Sequence, residues 1–354
     1  MGSVPAKEFQ VISDISKNID KELRKDGQVD KAIIKILLLG PSNSGKSTFV
    51  KQMKILHANG FNKQDIVDTK NLVRRSLVDS IYSLIKQMEA LKLDYSDPSK
   101  AEKAQLVTEL VDTHRVTDVL SRDVIDAIRL LWEDPIIRDC FVRFKDVSVP
   151  ASAEHFLNDV ERISKEDYVP SQQDFLLTRI STLGVRELLF ELKGLTFRVV
   201  DVGGQKAQRK KWIHQFENVH CVMFIVAISE YDIPLAEDAT TNRMTDSLDL
   251  FTYVATCRWF RNSSLILFLN KTDLFRLKIK TVPLTVAFPS YQGEKSYEDC
   301  SSYISGEFTR RFKRKTSQLY THFTCATDTD QIKCVLNDTV DTIVKLNLKS
   351  VGAM

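Results

Sequence analysis

The strongest constraint on the fold is a glycine-bounded loop that joins an apolar segment to a helix-forming one. Residues 33–39 read IIKILLL, and residues 40–47 read GPSNSGKS before an amphipathic segment begins. The loop matches the pattern G-x-x-x-x-G-K-[ST], in which backbone N–H groups and a helix N-terminus surround phosphate. In that pattern Lys46 contacts phosphate oxygens and the Ser47 hydroxyl binds Mg²⁺. The sequence therefore predicts an α/β domain with a phosphate site at a strand end.

Short apolar segments rich in β-branched residues predict the strands of this domain. They lie at residues 33–39, 195–202, 221–228, 265–269 and 321–325. Amphipathic segments separate most of them, which predicts a mostly parallel sheet covered by helices on both faces. Residues 188–192 precede Lys193 and Gly194 and predict an antiparallel hairpin with the next strand. With this edge strand the predicted sheet has six strands.

The interval between Gly60 and Gly184 contains no glycine and has a helical pattern instead. Its apolar residues recur at steps of three and four, as on one face of a helix. The clearest stripe consists of Leu77, Ile81, Leu84, Met88 and Leu91. We therefore predict an all-α domain at residues 62–174, inserted into an α/β domain made of residues 32–61 and 175–354.

Composition excludes several classes of function. The net charge is +3, from 50 basic and 47 acidic residues, so no basic excess indicates a nucleic-acid partner. The six cysteines are scattered without C-x-x-C pairs, a pattern typical of reduced thiols in the cytosol. The longest apolar run is far shorter than the about 20 residues that span a bilayer. We expect a soluble intracellular protein.

The choice of base depends on a second motif, Asn270-Lys271-Thr272-Asp273, which follows a predicted strand. The Asp273 carboxylate can accept two hydrogen bonds from guanine, whereas adenine would leave it unpaired. Asn270 can join this loop to the phosphate loop, and the Lys271 stem can cover the base. The Ala326 N–H, after the last strand, can donate to guanine O6. These groups predict a guanine nucleotide as the ligand.

Groups suited to hydrolysis lie around the segment Asp201-Val-Gly-Gly-Gln205. Asp201 is placed at a strand end to hold the Mg²⁺ shell, and Gly204 can approach the γ-phosphate through its N–H. Gln205 can orient a water molecule in line with that phosphate. Before this segment, Thr182 is a second candidate Mg²⁺ ligand, and Arg179 offers a cation for transition-state charge.

In this order, around a helical insertion, these motifs resemble the α subunit of a heterotrimeric G protein. The segments that carry the resemblance are GPSNSGKST, TRISTLG, DVGGQ, RKKWIHQFE, FLNKTD and YTHFTCATDT. The resemblance covers nearly the whole chain, and small Ras-like GTPases lack both the insertion and the built-in arginine. It implies a P-loop Ras-like GTPase domain that hydrolyses GTP to GDP. It also implies a molecular switch that couples receptors to effectors.

The resemblance also implies roles for individual residues. Gln205 and Arg179 would be catalytic, and Ser47 and Thr182 would bind Mg²⁺. Nucleotide-binding roles fall on Gly40, Asn43, Ser44, Gly45, Lys46, Ser47, Thr48, Leu177, Arg179, Thr182, Asp201, Gly204, Asn270, Lys271, Asp273, Cys325, Ala326 and Thr327. Residues 177–186, 202–216 and 231–243 would be the three segments that respond to GTP.

Partners follow from the same resemblance. They are a βγ dimer, a G-protein-coupled receptor, an effector enzyme or channel, and regulators of G-protein signalling. Residues 1–31 predict an amphipathic helix for the βγ dimer, and the C-terminal tail would contact the receptor. Gly2 is a candidate for myristoylation, although Ala6 stands where Ser or Thr is preferred. We expect a cytoplasmic protein with peripheral contact at the inner face of the plasma membrane.

Several residues depart from the family pattern. Ser42 replaces a glycine of the phosphate loop, and Asn43 replaces a glutamate that can pair with the arginine at position 179. Leu177 and Ala151 replace polar residues near the interface between the domains. We expect nucleotide binding to be kept, hydrolysis to be slow, and acceleration by regulators of G-protein signalling to be weakened.

Two other functions remain open from the sequence. One is a nucleotide-bound scaffold that does not hydrolyse GTP and sequesters βγ or other partners. The other is a P-loop enzyme that uses ATP. Intact Arg179 and Gln205 argue against the first, and the Asn270–Asp273 motif argues against the second.

Overall fold

A computed structural model of the chain describes residues 33–113, 119–144, 149–150, 152–179, 182, 184–314 and 318–350. Side chains at 344 and 346–350 are outside this description. The predicted N-terminal helix with Gly2, the departure at Ala151 and the last four residues of the tail also lie outside the described residues.

A mostly parallel six-stranded sheet forms the centre of the α/β domain, which confirms the predicted fold class. Its strands are β1 (Ile33–Leu39), β2 (Val185–Leu192), β3 (Leu195–Val202), β4 (Cys221–Ala227), β7 (Ser264–Asn270) and β8 (Tyr320–Thr324), in the order β2-β3-β1-β4-β7-β8. Among the described strand pairs of this sheet, β2–β3 is the only antiparallel one. A separate two-stranded ribbon joins β5 (Pro234–Leu235) to β6 (Asp238–Asn242).

Strand boundaries differ from the prediction in four strands. β7 is one residue longer at each end than predicted, and β8 begins and ends one residue earlier. β4 ends at Ala227, because Ile228 begins a 3₁₀ turn. β2 begins at Val185, three residues before the predicted start, and its first three residues are exposed. An exposed edge strand lacks the apolar pattern by which buried strands are recognised.

Parallel pairing brings the predicted motifs to one edge of the sheet. Asp201 lies beside Leu38 in the β1–β3 pair, just before the phosphate loop begins. Asn270 pairs with Ala227 on one side and Thr324 on the other. The phosphate loop and two base-recognition segments, residues 270–273 and 325–327, therefore meet at the carboxyl ends of the strands, where open α/β sheets bind ligands.

Helices cover both faces of the sheet. They are α1 (Lys46–His57), α9 (Lys206–Arg209), α10 (Arg243–Thr256), α11 (Thr272–Lys278), α12 (Tyr297–Arg311) and α13 (Thr329–Ser350). One face packs around Phe224, Phe251 and Phe308, and the other around Phe49, Phe268 and Ile332. Burial on both faces explains the near-continuous apolar runs of the central strands.

The insertion folds as a helical unit around its own apolar cluster. Its helices are α2 (Lys63–Leu91), α3 (Lys100–Asp112), α4 (Arg122–Trp132), α5 (Pro135–Phe144), α6 (Ala153–Asn158), α7 (Val160–Ser164) and α8 (Gln172–Leu177). A capping box between Asn62 and Asp65 starts α2, close to the predicted boundary. The other predicted boundary, after residue 174, falls inside α8.

One member of the predicted apolar stripe does not belong to the core. Leu91 is 44% exposed, whereas Leu77, Ile81 and Leu84 are fully buried. α2 ends at Leu91, because Lys92 adopts a left-handed backbone conformation with φ 54°. The periodic pattern thus extended one position beyond the buried face.

Two further findings concern the membrane and cysteine chemistry. Within the parts of the chain that the structure describes, no helix is both long and apolar enough to cross a membrane. All six cysteines are free thiols.

Candidate functional site

A cavity of about 890 Å³ lies between the phosphate loop, the base-recognition segments and the helical insertion. The predicted site residues that line it are Asn43, Ser44, Gly45, Lys46, Ser47, Thr48, Leu177, Arg179, Thr182, Gly204, Gln205, Asn270, Lys271, Asp273, Cys325, Ala326 and Thr327. Gly40 and Asp201 lie behind this lining. The structure therefore brings predicted residues from five separate segments of sequence to one cavity.

The phosphate loop takes backbone conformations that explain two of its glycines. Gly40 has φ 144° and Gly45 has φ 102°, a region that residues with a Cβ rarely adopt. A Cβ at Gly40 would overlap the Ile225 carbonyl, and one at Gly45 would overlap the Asn270 side chain. Asn43 is also left-handed, with φ 67°, and asparagine tolerates this region better than most residues.

Lys46 lies at the centre of the loop. Its Nζ donates to the carbonyl oxygens of Gly40 at 3.0 Å and Pro41 at 2.7 Å, and to Ser44 Oγ at 3.4 Å. Burial lowers the pKa of Lys46 to about 8, against an opposing effect of the Asp201 charge. Burial thus makes the ammonium form less stable than in water, although it still prevails at neutral pH, and a bound anion would stabilise it.

Three oxygen-bearing side chains converge beside this lysine. Ser47 Oγ donates to Asp201 Oδ2 at 2.8 Å and lies 2.7 Å from Thr182 Oγ1. Thr182 Oγ1 also donates to Asp201 Oδ2, at 3.2 Å. Asp201 Oδ1 is buried and has no hydrogen-bond partner among the described residues. Hard oxygen atoms with unused acceptor capacity fit a hydrated Mg²⁺ ion.

The segment after β3 packs directly on the phosphate loop. A Cβ at Gly204 would lie 2.6 Å from both the Pro41 oxygen and Lys46 Nζ, so only glycine fits. Gln205 follows it and lines the cavity. The backbone N–H of Lys206 donates to Glu237, which joins this segment to residues 231–243.

At the base end, Asn270 joins three segments. Its Nδ2 donates to the Ser44 carbonyl at 2.8 Å, which connects it to the phosphate loop as predicted. Its Oδ1 accepts from Thr324 Oγ1 at 3.2 Å and from the Ala326 N–H at 3.0 Å. The Ala326 N–H is therefore engaged within the protein, and its donation to guanine O6 stays a prediction.

Lys271 has an anchor that the sequence did not reveal. Its Nζ donates to Glu230 Oε1 at 2.6 Å, and Arg243 donates to Glu230 Oε2 at 2.7 Å. Burial opposes ionisation of Glu230, but the two cations lower its pKa below the usual value. The ion pairs hold the Lys271 stem at the cavity wall. Asp273 is exposed in the first turn of α11, on the same wall.

Comparison with known proteins identifies the class of this site. The family model of the G-protein alpha subunit matches residues 13–343. The chain belongs to the G-protein alpha-subunit family. It is 44% identical over 352 residues to the guanine nucleotide-binding protein alpha-7 subunits of Caenorhabditis briggsae and Caenorhabditis elegans, and each match covers 99% of both chains.

Membership in this family establishes the class of activity and of signalling role. The chain is a GTPase and the alpha subunit of a heterotrimeric G protein, and its ligand is a guanine nucleotide. The predicted family, fold class and enzyme class are thereby confirmed. The roles of individual residues are taken up below as proposals.

Some cavity residues of this alpha subunit were not predicted from the sequence. Glu154, His155 and Asn158 of α6 and Lys51 of α1 line the cavity without belonging to any motif. His155 Nε2 lies 2.9 Å from Asp174 Oδ1. The three residues of α6 come from a helical insertion with no phosphate-loop pattern, and Lys51 lies after the loop motif on α1, so only tertiary structure could place them at the site.

Asp174 fixes this wall of the cavity. Its carboxylate also accepts hydrogen bonds from both terminal nitrogens of Arg162, the Tyr168 hydroxyl and the Ser171 N–H. Burial alone would raise the pKa of Asp174, but the bonds from Arg162 and Ser171 hold it well below its usual range. Hydrogen bonds to Asp174 therefore fix α8, the last helix of the insertion, whose end lines the cavity.

Proposed function

We propose that this alpha subunit is a Mg²⁺-dependent GTP switch whose hydrolytic step is slow. The observation that carries the proposal is the convergence of Ser47, Thr182 and Asp201 in one cavity with Gln205 and Arg179. These groups supply metal ligands, a water-positioning amide and a cation, which phosphoryl transfer to water requires.

Ser47 and Thr182 would hold Mg²⁺ through their hydroxyl oxygens, with Asp201 accepting hydrogen bonds from its hydration shell. The ion would neutralise charge on the β- and γ-phosphates. Lys46 would turn from the Gly40 and Pro41 carbonyls to phosphate oxygens. Gly204 packs against the same loop, and its N–H would make the segment after β3 sensitive to the γ-phosphate.

For the hydrolytic step, the Gln205 amide orients a water molecule in line with the γ-phosphate, and the Arg179 guanidinium stabilises the charge of the transition state. G-protein alpha subunits supply such an arginine within the chain, and membership in the family supports this role for Arg179. The Arg179 side chain is exposed and lines the cavity, so it can reach a bound phosphate.

Selectivity for guanine would come from Asp273, Asn270, Lys271 and Ala326. The Asp273 carboxylate accepts from the N1–H and the 2-amino group of guanine. Adenine offers neither donor in that position and would leave the carboxylate desolvated and unpaired.

Ser42 is the proposed cause of slow turnover. It lies next to Pro41, which contacts Gly204, and both Ser42 and Gln205 line the cavity. Its side chain would then obstruct the place where the attacking water, the glutamine and the arginine must meet. A loss of about 1.4 kcal/mol in transition-state stabilisation is enough to slow the step tenfold. The same obstruction would weaken acceleration by regulators of G-protein signalling.

Protein partners in the proposal are those of the family. Residues 209–216 would bind a βγ dimer in the GDP state together with the N-terminal helix of residues 1–31. A G-protein-coupled receptor would bind the C-terminal tail, and an effector enzyme or channel would recognise the GTP state. We place the protein on the cytoplasmic side of the plasma membrane, with myristoylation at Gly2 as one means of attachment.

Phosphate release in a single turnover tests the proposal. Protein preloaded with GTP is started with Mg²⁺, and phosphate is followed until the reaction is complete. We expect a slow single-exponential release that is abolished in Gln205→Leu and greatly slowed in Arg179→Ala. Release no faster than from those variants, with βγ binding retained, would instead support a non-hydrolysing scaffold, the function that the departures at Ser42 and Asn43 favour.

A further inference from the structure

Two lysines on the same helix reach the two connections between the domains. Lys51 Nζ of α1 donates to the carbonyl oxygens of Phe175 at 2.8 Å and Thr178 at 2.6 Å. Three residues on, Lys54 Nζ donates to Asp65 Oδ2 at 2.6 Å. Lys51 thus holds the connection that leads out of the helical insertion, and Lys54 holds the one that leads in.

The two carbonyl groups that Lys51 binds are at the end of α8. The last carbonyls of a helix have no partner within the helix, and a cation there is favoured by the helix dipole. Thr178 is held from the other side as well, because its N–H and hydroxyl both donate to the Asp174 carbonyl. The Phe175 ring stacks on Phe61 with 3.7 Å between centroids. These contacts hold the backbone that leaves the insertion as far as Thr178.

Arg179 is the next residue on this path. The Thr178 carbonyl belongs to the peptide unit that contains the Arg179 nitrogen, so fixing that oxygen fixes the plane from which Arg179 starts. Lys51 lies one helical turn after Ser47 on α1. Through the hydrogen bond from Lys51 to the Thr178 carbonyl, α1, which begins at the phosphate loop, also holds the backbone from which the Arg179 side chain extends.

We propose that Lys51 is a positioning residue for Arg179, and the proposal rests on the hydrolytic role of Arg179 stated above. Lys51 binds only carbonyl oxygens in these contacts, and it is far more buried than a surface lysine; burial, with a contribution from Arg186, lowers its pKa to about 8. At neutral pH its ammonium form still prevails. The Lys51 ammonium group therefore stabilises the backbone conformation of the residues just before Arg179.

The test compares Lys51→Met with the matched variant Lys54→Met, each in the wild-type and in the Arg179→Ala background. We expect Lys51→Met to slow single-turnover GTP hydrolysis about tenfold in the wild type and to have no effect in Arg179→Ala, because residues that act through one another are not additive. Lys54→Met should change the rate less than about twofold in either background. Lys51→Arg, which keeps the donors, should restore most of the rate.

A second readout separates positioning from general damage to the site. Binding of aluminium fluoride to the GDP complex, followed by Trp212 fluorescence, should weaken about tenfold in Lys51→Met while GDP affinity stays within about twofold. Equal slowing by Lys51→Met in both backgrounds, or an unchanged rate in the wild type, would overturn the inference. If Arg179→Ala itself left hydrolysis unchanged, the proposed function would fail first and the role of Lys51 with it.

Discussion

The two ends of the nucleotide cavity are built in opposite ways. At the base end, the polar groups of Asn270 bind Ser44, Thr324 and Ala326, and Lys271 is held by Glu230. At the phosphate end, Asp201 Oδ1 has no partner in the described chain, and Lys46 is a buried cation bonded only to neutral groups. At the base end the polar side chains are hydrogen-bonded within the protein, whereas the phosphate end has a free acceptor oxygen and a buried cation that suit a charged ligand and its metal ion.

This difference separates recognition from turnover. A preformed base end loses little conformational freedom when the nucleotide binds, which favours affinity and selectivity. The phosphate end contains the residues that must meet around the γ-phosphate, and it also contains the departures Ser42 and Asn43. We therefore expect changes at the base end to affect binding, and changes at Ser42 to affect the rate of hydrolysis.

The largest effect is expected at the base end from Asp273→Asn. An amide in place of the carboxylate cannot accept both guanine donors, and two charge-assisted hydrogen bonds are lost. We expect GTP affinity to fall about 10³-fold while the affinity for inorganic pyrophosphate is unchanged. Competition binding measures both. If GTP affinity stayed within a few-fold of wild type, Asp273 would not read the base.

A second prediction concerns pH at the phosphate end. A phosphate beside Lys46 favours its charged form, so nucleotide binding raises the pKa of Lys46 from about 8. Below pH 8 the lysine is charged with or without nucleotide, and the affinity does not depend on its titration. Above pH 8 binding takes up a proton, and GDP affinity should fall by up to about tenfold per pH unit.

Calorimetric titration with GDP between about pH 7 and about pH 9.5 checks this slope. Lys46→Met should bind weakly and show no proton uptake. Lys51→Met is the control, because Lys51 has a similarly lowered pKa but donates to backbone carbonyls. If the pH dependence of GDP affinity disappeared in Lys51→Met and persisted in Lys46→Met, Lys51 and not Lys46 would be the group that takes up the proton.

The smallest effect is expected from the strained position in the phosphate loop. Asn43→Ala puts a residue without a local hydrogen-bonding group at φ 67°, and should lower the free energy of unfolding of the GDP complex by about 1 kcal/mol. Ser42→Ala in the same loop lies outside the positive-φ region and should change it by less than about 0.5 kcal/mol. Urea unfolding measures both, and equal values for the two variants would show that the loop stores no strain at Asn43.

Sequence reasoning found the groups whose chemistry requires a set spacing. The phosphate loop needs Gly40, Gly45 and Lys46 at fixed intervals, and parallel strands place Asn270 beside it, so these residues could be predicted from local pattern alone. The apolar runs also predicted five strand cores and the helical nature of the insertion, because burial imposes a period on the sequence.

What could not be predicted depends on contacts between distant segments. Lys51 and His155 look like ordinary surface residues until the fold brings them to the cavity, as does Glu230 until the fold places it beside Lys271. Leu91 continued a helical period past the end of its helix, and β2 began in an exposed stretch without apolar alternation. The hydrogen bond from the Ala326 N–H to Asn270 was also invisible in the sequence.

Single-turnover GTP hydrolysis by Ser42→Gly, compared with wild type, tests most directly the claim that the phosphate end limits this switch. Both proteins are loaded with GTP to the same extent and started with Mg²⁺, and GTP affinity is measured alongside. Removing the side chain should raise the rate about tenfold or more and leave GTP affinity unchanged. Equal rates for the two proteins would contradict the account.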